Sequence, residues 1–184
     1  MRDDMHLTAL TLDHTDDFHR WVENKESVKY SLSAFSLNRD RDWIRAYIKS
    51  LLKNEKTWDR VIVCDRRNIG YCGLSDVSPN NRSAEFYILI GDDEFWGKGI
   101  GTRAGYEVLN YGFSQVGLHR IWLTVSSLNI GAIRSYKKQG YIEEGVMREA
   151  AFRDGVFHDK IIMAILKSEW HNKSMQPIAN TTAD

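Results

Sequence analysis

Proline occurs only at Pro79 and Pro177, and cysteine only at Cys64 and Cys72. Two cysteines outside any CxxC pair exclude a disulfide scaffold, and they read as reduced core thiols of a cytoplasmic protein. Charge of one sign is missing too: 25 Lys and Arg balance 25 Asp and Glu, so nothing favours bulk binding to nucleic acid or to an anionic membrane. No run approaches the ~18 apolar residues of a membrane span. The first residues, MRDDMHLTALTLDHTDD, carry acids where a secretory signal would carry basic charge. His119 and His158 lack metal-ligand spacing, and His6, His14 and His19 form no constellation, so no metal is expected.

What is present suits one domain. The 184 residues, 42% hydrophobic, can bury a real core, and a charged fraction of 27% is ordinary for a folded chain. A single domain over residues 1–170 is expected. From His171 the composition turns polar and small, which predicts a loose tail over 171–184.

With few prolines, element boundaries must come from periodicity. Alternation over Leu7–Leu12 predicts a short strand. Asp13–Glu23 reads as a helix, with Asp13 or Thr15 as its cap and Phe18, Trp21 and Val22 on one face. Asn24–Asn38 reads as a loop. In Asp40–Lys53, Ile44, Tyr47, Ile48 and Leu51 follow the helical i, i+3, i+4, i+7 spacing. Arg60–Cys64 and Ile69–Val77 predict an antiparallel hairpin around Asp65–Asn68, and Ala84–Ile90 a third strand after the Pro79-Asn80-Asn81 turn. Gly101–Val116 reads as a helix whose stripe of Gly105, Leu109, Gly112 and Val116 would let it lie close to a sheet. Arg120–Val125 is a strand, and Ile130–Gln139 a helix ended by Gly140. Two last strands turn at Arg153-Asp154-Gly155 and end near Leu166. The order β-α-α-β-β-β-α-β-α-β-β defines an α/β (α+β) chain, a mixed sheet with helices on both faces.

Chemistry concentrates in two segments. Trp96-Gly97-Lys98-Gly99-Ile100-Gly101-Thr102 lies between a strand and a helix. Its glycines let backbone N–H groups turn toward one point, and the helix start adds partial positive charge, a combination suited to a pyrophosphate. No GKS or GKT closes a P-loop, and no GxGxxG is present. In the second segment Asn129 and Tyr136 stand seven apart, two turns of one helix, so they point the same way.

Together these segments resemble the GNAT acetyltransferases over nearly the whole chain. The family's phosphate loop reads Q/R-x-x-G-x-G/A, and here Gly99 and Gly101 fill the glycine positions while Trp96 replaces Gln or Arg. The family's N-x-x-A-x-x-x-Y-x-K-x-G-F/Y signature is matched by Asn129, Ala132, Tyr136, Lys138, Gly140 and Tyr141. The resemblance implies a mostly antiparallel sheet with one splayed parallel pair, and acetyl transfer from acetyl-CoA to an amine. It implies that the pantetheine arm pairs with the strand around Leu89 and Ile90. Gly97, Lys98, Gly99, Ile100, Gly101 and Thr102 would hold the pyrophosphate, Asn129 would touch the pantetheine, and Tyr136 would protonate the leaving thiolate.

Glu85 is the candidate base, because a carboxylate inside the strand Ala84–Leu89 is costly unless it is hydrogen-bonded or opens on a cleft. A structural glutamate paired with Arg82 or Arg148 is the alternative. Asp92-Asp93-Glu94 reads as a solvated turn.

Leu118–Ile121 and Glu144–Glu149 resemble the branch of ribosomal-protein N-terminal and spermidine acetyltransferases, whose members assemble as dimers or rings. Between Asn24 and Arg60, where the family selects its acceptor, nine bases face five acids. Arg41, Arg45 and Lys49 line one helix face. If that stripe meets the acceptor, it favours an amine attached to an anion, such as a nucleotide-linked amino sugar or an acidic protein N-terminus. A polyamine acetyltransferase, or a non-catalytic acetyl-CoA-binding sensor, stays open.

Overall fold

The computed structural model describes residues 4–30, 40–153 and 155–174. Seven strands form one sheet in the order β1-β2-β3-β4-β5-β7-β6. They are β1 (Met5–Ala9), β2 (Trp58–Cys64), β3 (Arg67–Ser78), β4 (Ser83–Ile90), β5 (Arg120–Ser126), β6 (Ile142–Arg153) and β7 (Val156–Leu166). Every pairing is antiparallel except β4 with β5. The helices are α1 (Thr15–Glu23), α2 (Lys25–Val28), α3 (Arg41–Lys53), α4 (Ile100–Asn110), α5 (Ile130–Gln139) and α6 (Lys167–Ser174).

Two cores lie on opposite faces of the sheet. Phe18, Trp21 and Val22 of α1 and Ile44 and Ile48 of α3 pack on Val61, Tyr71 and Leu89. On the other face Ala104, Val108 and Leu109 of α4, Ile133 and Tyr136 of α5 and Trp170 of α6 cover Ile62, Leu74, Phe86, Ile121 and Met163. Helices therefore cover both faces, as the sequence order predicts.

Where the elements differ from the sequence expectation, local forces explain it. The first strand stops at Ala9, because Thr11 rather than Asp13 or Thr15 caps the chain. Its side chain accepts from Asp13 N and makes a reciprocal capping box with His14, starting a 3₁₀ turn at Leu12. Asn24 caps α2 through Glu26 N at 3.1 Å, so part of the expected loop is helical. The rest of that loop, 31–39, lies outside the described residues, as does Asp154. Asp65 and Arg66 both take positive φ, which closes the β2–β3 hairpin in two residues rather than four.

The expected helix Gly101–Val116 changes pitch at Tyr111, and Tyr111–Val116 is a π-helical segment. Its i→i+5 bonds widen the turn, so the four-residue step no longer holds one face and Val116 is exposed. The glycine stripe also divides its work. A Cβ on Gly112 would lie 2.7 Å from Ile121 Cδ1 on the sheet, whereas one on Gly105 would overlap the Gln139 side chain of α5. At the C-terminal end α6 runs on to Ser174, into the stretch expected to be loose, and 175–184 lie outside the described residues.

Candidate active site

The parallel pair β4–β5 is short. It comprises Ser83 with Arg120, Ala84 with Ile121, and Glu85 with Trp122. Beyond Glu85, β4 continues to Ile90 and β5 to Ser126 without pairing, so the sheet opens between them. Glu85 stands at the apex of that opening. The last half of β4 keeps its bonds to β3 on one side, leaving its β5 side as unpaired backbone.

Strand alternation sorts the side chains along this opening. Ala84 and Phe86 belong to the core under α4 and α5. Glu85, Tyr87 and Leu89 project to the opposite face, where Tyr87 and Leu89 join the core under α1 and α3. Tyr136 reaches the apex from the α5 side, its ring edge-on to Phe86 at 6.0 Å and to Tyr141 at 5.8 Å. Glu85 and Tyr136 thus flank the start of the opening from the two faces of the sheet.

Their environments set their proton affinities. Burial raises the Glu85 carboxyl above the ordinary carboxylate value, Asp76 adds to that rise, and Lys160 opposes it. The neighbours are therefore Asp76 and Lys160, not Arg82 or Arg148. Burial also raises the Tyr136 phenol, so it keeps its proton throughout the neutral range. Tyr141, also buried, has a hydroxyl with no hydrogen-bond partner among the described residues.

The glycine loop follows β4 at the mouth of the opening. Gly97 and Gly99 hold φ of +73° and +77°, and among the described residues nothing lies within 4 Å of where a Cβ would stand on either. Gly99 is the N-cap of α4 and offers no side chain to it, so the first N–H groups of Ile100, Gly101 and Thr102 form an uncapped helix start. Lys98 extends over the Phe95 ring at 5.1 Å. Thr102 Oγ1 and Ser135 Oγ are 2.8 Å apart, tying the loop to α5. Uncapped amides at a helix N-terminus with positive-φ glycines before it fit a pyrophosphate.

Three details change the expected picture. Trp96 is not merely a missing Gln or Arg, because its indole N–H donates to Ile90 O at 3.0 Å and braces the loop against the end of β4. Asn129 caps α5, its side-chain oxygen accepting from Ala132 N at 3.2 Å, which leaves its amide N–H₂ as the group that can meet a ligand. Asp92 and Glu94 are not simply solvated. Asp92 pairs with Arg20 at 3.4 Å and Arg67 at 3.0 Å, and Glu94 pairs with Arg67 at 2.6 Å. Those arginines stand on α1 and β3, so they draw the acids away from an anion on the loop.

Arg41, Arg45 and Lys49 are all exposed on α3, and Arg41 pairs with Asp16. The basic group that acts on Glu85 is a different one, Lys160. A cleft open to solvent is lined by Lys29, Tyr30, Ser126, Arg153, His158 and Lys160 among others. Sequence reasoning missed these residues because they lie on four separate elements, the end of α2 and strands β5, β6 and β7. Cys64 and Cys72 are both buried and not joined in a disulfide, and burial raises the Cys72 thiol, which removes it as a nucleophile.

A sheet opened between two parallel strands, with a glycine loop at their carboxyl ends, defines a GNAT acetyltransferase domain. Residues 4–142 match the acetyltransferase (GNAT) domain family, and the chain belongs to it. The spermidine N(1)-acetyltransferase of Escherichia coli K12 is 38% identical over 80 residues, 44% of this chain and 42% of that protein. The chain therefore aligns with less than half the length of that relative. The uncharacterised N-acetyltransferase p20 of Bacillus licheniformis is 27% identical over 142 residues, 73% of this chain and 79% of its own. Spermidine N-acetyltransferase from Vibrio cholerae, solved in complex with CoA and spermine, shares the fold at a TM-score of 0.81 and 27% identity, covering 91% of this chain and 98% of that one.

Proposed function

We propose that the chain is an acyltransferase of the cytoplasm, moving the acetyl group of acetyl-CoA to a primary amine by direct attack. Residues 1–170 are its single catalytic domain. The observation that carries this is the placement of Glu85 and Tyr136 on opposite faces of one apex, where β4 and β5 part. Acetyl-CoA would supply the reactive thioester. Gly97 to Thr102 would hold its pyrophosphate through backbone N–H groups, and the unpaired backbone around Leu89 and Ile90, with Asn129, would hold its pantetheine arm.

The proton traffic follows from the two side chains. A protonated amine must lose its ammonium proton before its nitrogen can attack the thioester carbonyl, and Glu85 accepts that proton, directly or through water. Its raised proton affinity makes it a better base than an ordinary surface carboxylate. The carbon–sulfur bond then breaks, and Tyr136 donates its proton to the departing sulfur. A phenol that stays protonated needs no further tuning for that role.

A polyamine acceptor is the second reading, favoured by the relatives named as spermidine acetyltransferases. Release of free thiol from acetyl-CoA across a panel of amines tests the main reading. No release from any amine, with acetyl-CoA still bound, would replace it by the sensor alternative. We propose a second copy of this chain as a further partner, along the free edge strand β6.

A further inference from the structure

We infer that the acceptor amine carries a phosphate, held in the basic cleft beside Glu85; this rests on the acetyl-transfer reading above. Lys160 and Ser126 are directly paired across β7 and β5, and His158 stands two residues before Lys160, so all three share one face of the sheet. That face is the one to which Glu85 projects, because Glu85 pairs with Trp122 and Trp122 with Ala164 in the same register. Lys29 comes from the end of α2 and Arg153 from the end of β6.

Among the described residues, the lining of this cleft contains three permanent cations and a histidine, and no acidic residue. Glu26 lies nearby and pairs with Lys29 at 3.7 Å. Asp159, between His158 and Lys160, projects to the other face, where its carboxylate accepts from Glu149 N at 2.8 Å. A polyamine with several protonated nitrogens would meet repulsion from the cations of this lining, with Glu85 and Asp76 as acids only at the amine end. A phosphate would instead gain charge-assisted hydrogen bonds from Lys29, Arg153 and His158. One molecule can thus present its amine to Glu85 and its anion to the cations beyond it.

The test compares glucosamine, glucosamine 6-phosphate, UDP-glucosamine and spermidine by thiol release and, separately, by calorimetric binding to the coenzyme A-loaded protein. A phosphorylated amine should exceed glucosamine by about ten-fold or more in both kcat/KM and affinity. The advantage should shrink as salt rises. The two phosphorylated probes separate a sugar phosphate from a nucleotide-linked sugar. The Arg153→Gln/His158→Gln variant should lose the preference while keeping coenzyme A affinity within two-fold, which shows that it is folded. Equal binding of glucosamine and its phosphate, an unchanged preference in the variant, or a preference for spermidine would overturn the inference. If phosphate preference in binding persists but no amine releases thiol, the acetyl-transfer reading fails and the subsite stands.

Discussion

The phenol of Tyr87 lies across the bare backbone of Gly73 and donates its hydrogen to Asp59, two strands away. Asp59, Gly73 and Tyr87 form one row across β2, β3 and β4. Thr57 Oγ1 donates to the other carboxylate oxygen at 2.7 Å, so a carboxylate only 8% exposed has a hydroxyl donor on each oxygen. Tyr87 is two residues from Glu85 on the same face, and this row holds the strand that carries the candidate base.

Replacing Gly73 by Ala should therefore be costly. The new methyl would lie 2.6 Å from Tyr87 Oη and would overlap the Trp58 carbonyl, which is backbone and cannot swing aside. A loss of about 1–3 kcal/mol is expected in urea unfolding. Tyr87→Phe removes one of the two Asp59 donors and should cost about as much. A neutral effect of both would show that the row is slack.

Tyr136→Phe should lower turnover by roughly 10²-fold or more, the scale of a lost general acid, while acetyl-CoA affinity stays within a few-fold. Stopped or steady-state thiol release with a separate binding titration measures the two. Unchanged turnover would remove Tyr136 from the mechanism.

The acid limb of kcat/KM should report Glu85. Because burial and Asp76 raise its proton affinity, activity should fall on acidification at a pH above the ordinary carboxylate range. Lys160→Met removes the opposing charge and should move that limb to higher pH, and Asp76→Asn should move it lower. The stability effect has the opposite sense to that of a salt-bridged acid. A folded-state value above the unfolded one favours the folded chain below the unfolded value, and that benefit is lost as pH rises through the folded one. Glu85→Gln should accordingly be at least as stable as the parent at neutral pH, yet slow. A limb that ignores both neighbours would assign the titration elsewhere.

Gly99→Ala places a side chain in the left-handed region, at about 1–2 kcal/mol of backbone strain, although nothing crowds the site. The chain relieves that strain by turning the loop amides, so acetyl-CoA affinity should fall more than melting temperature does. Isothermal titration beside thermal unfolding separates the two.

The sheet ends in β6, exposed over most of its length, with Val146, Met147 and Phe152 bared beside Val156 and Phe157 of β7. Light scattering should find a dimer or larger assembly. Phe157→Arg together with Val146→Lys should shift it to monomer, and a parent protein already monomeric at micromolar concentration would contradict that expectation.

Local signals were legible and distant ones were not. The helix Ile130–Gln139 was readable to its ends because Asn129 and Gly140 cap it from adjacent positions, the latter at a φ of 108°. The buried faces of α1 and α3 were written in their own spacing. The glycine loop announced an anion because its chemistry lies in consecutive residues. By contrast, Glu85 feels Lys160 only because β4, β5 and β7 stand side by side, an order that no local pattern encodes. Asp92 looked solvated because its partners Arg20 and Arg67 come from two other elements. The cleft of Lys29, Arg153 and His158 was hidden for the same reason, while the regular Arg41, Arg45 and Lys49 stripe was conspicuous and lies on an exposed face.

The parting of β4 from β5 after Glu85 leaves a row of main-chain donors and acceptors with no strand to answer them. Anything that threads this gap and bonds to Phe86–Ile90 becomes in effect a missing strand, bridging the β1–β4 half of the sheet to the β5–β7–β6 half. Ligand binding and cohesion between the halves are then one equilibrium. A saturating cosubstrate should slow amide exchange far from its own contacts, and at 100 times its dissociation constant it should stabilise the whole chain by about 2.7 kcal/mol. Without such a ligand, the two halves are joined at the middle of the sheet by three residue pairs and the helices that lie across them.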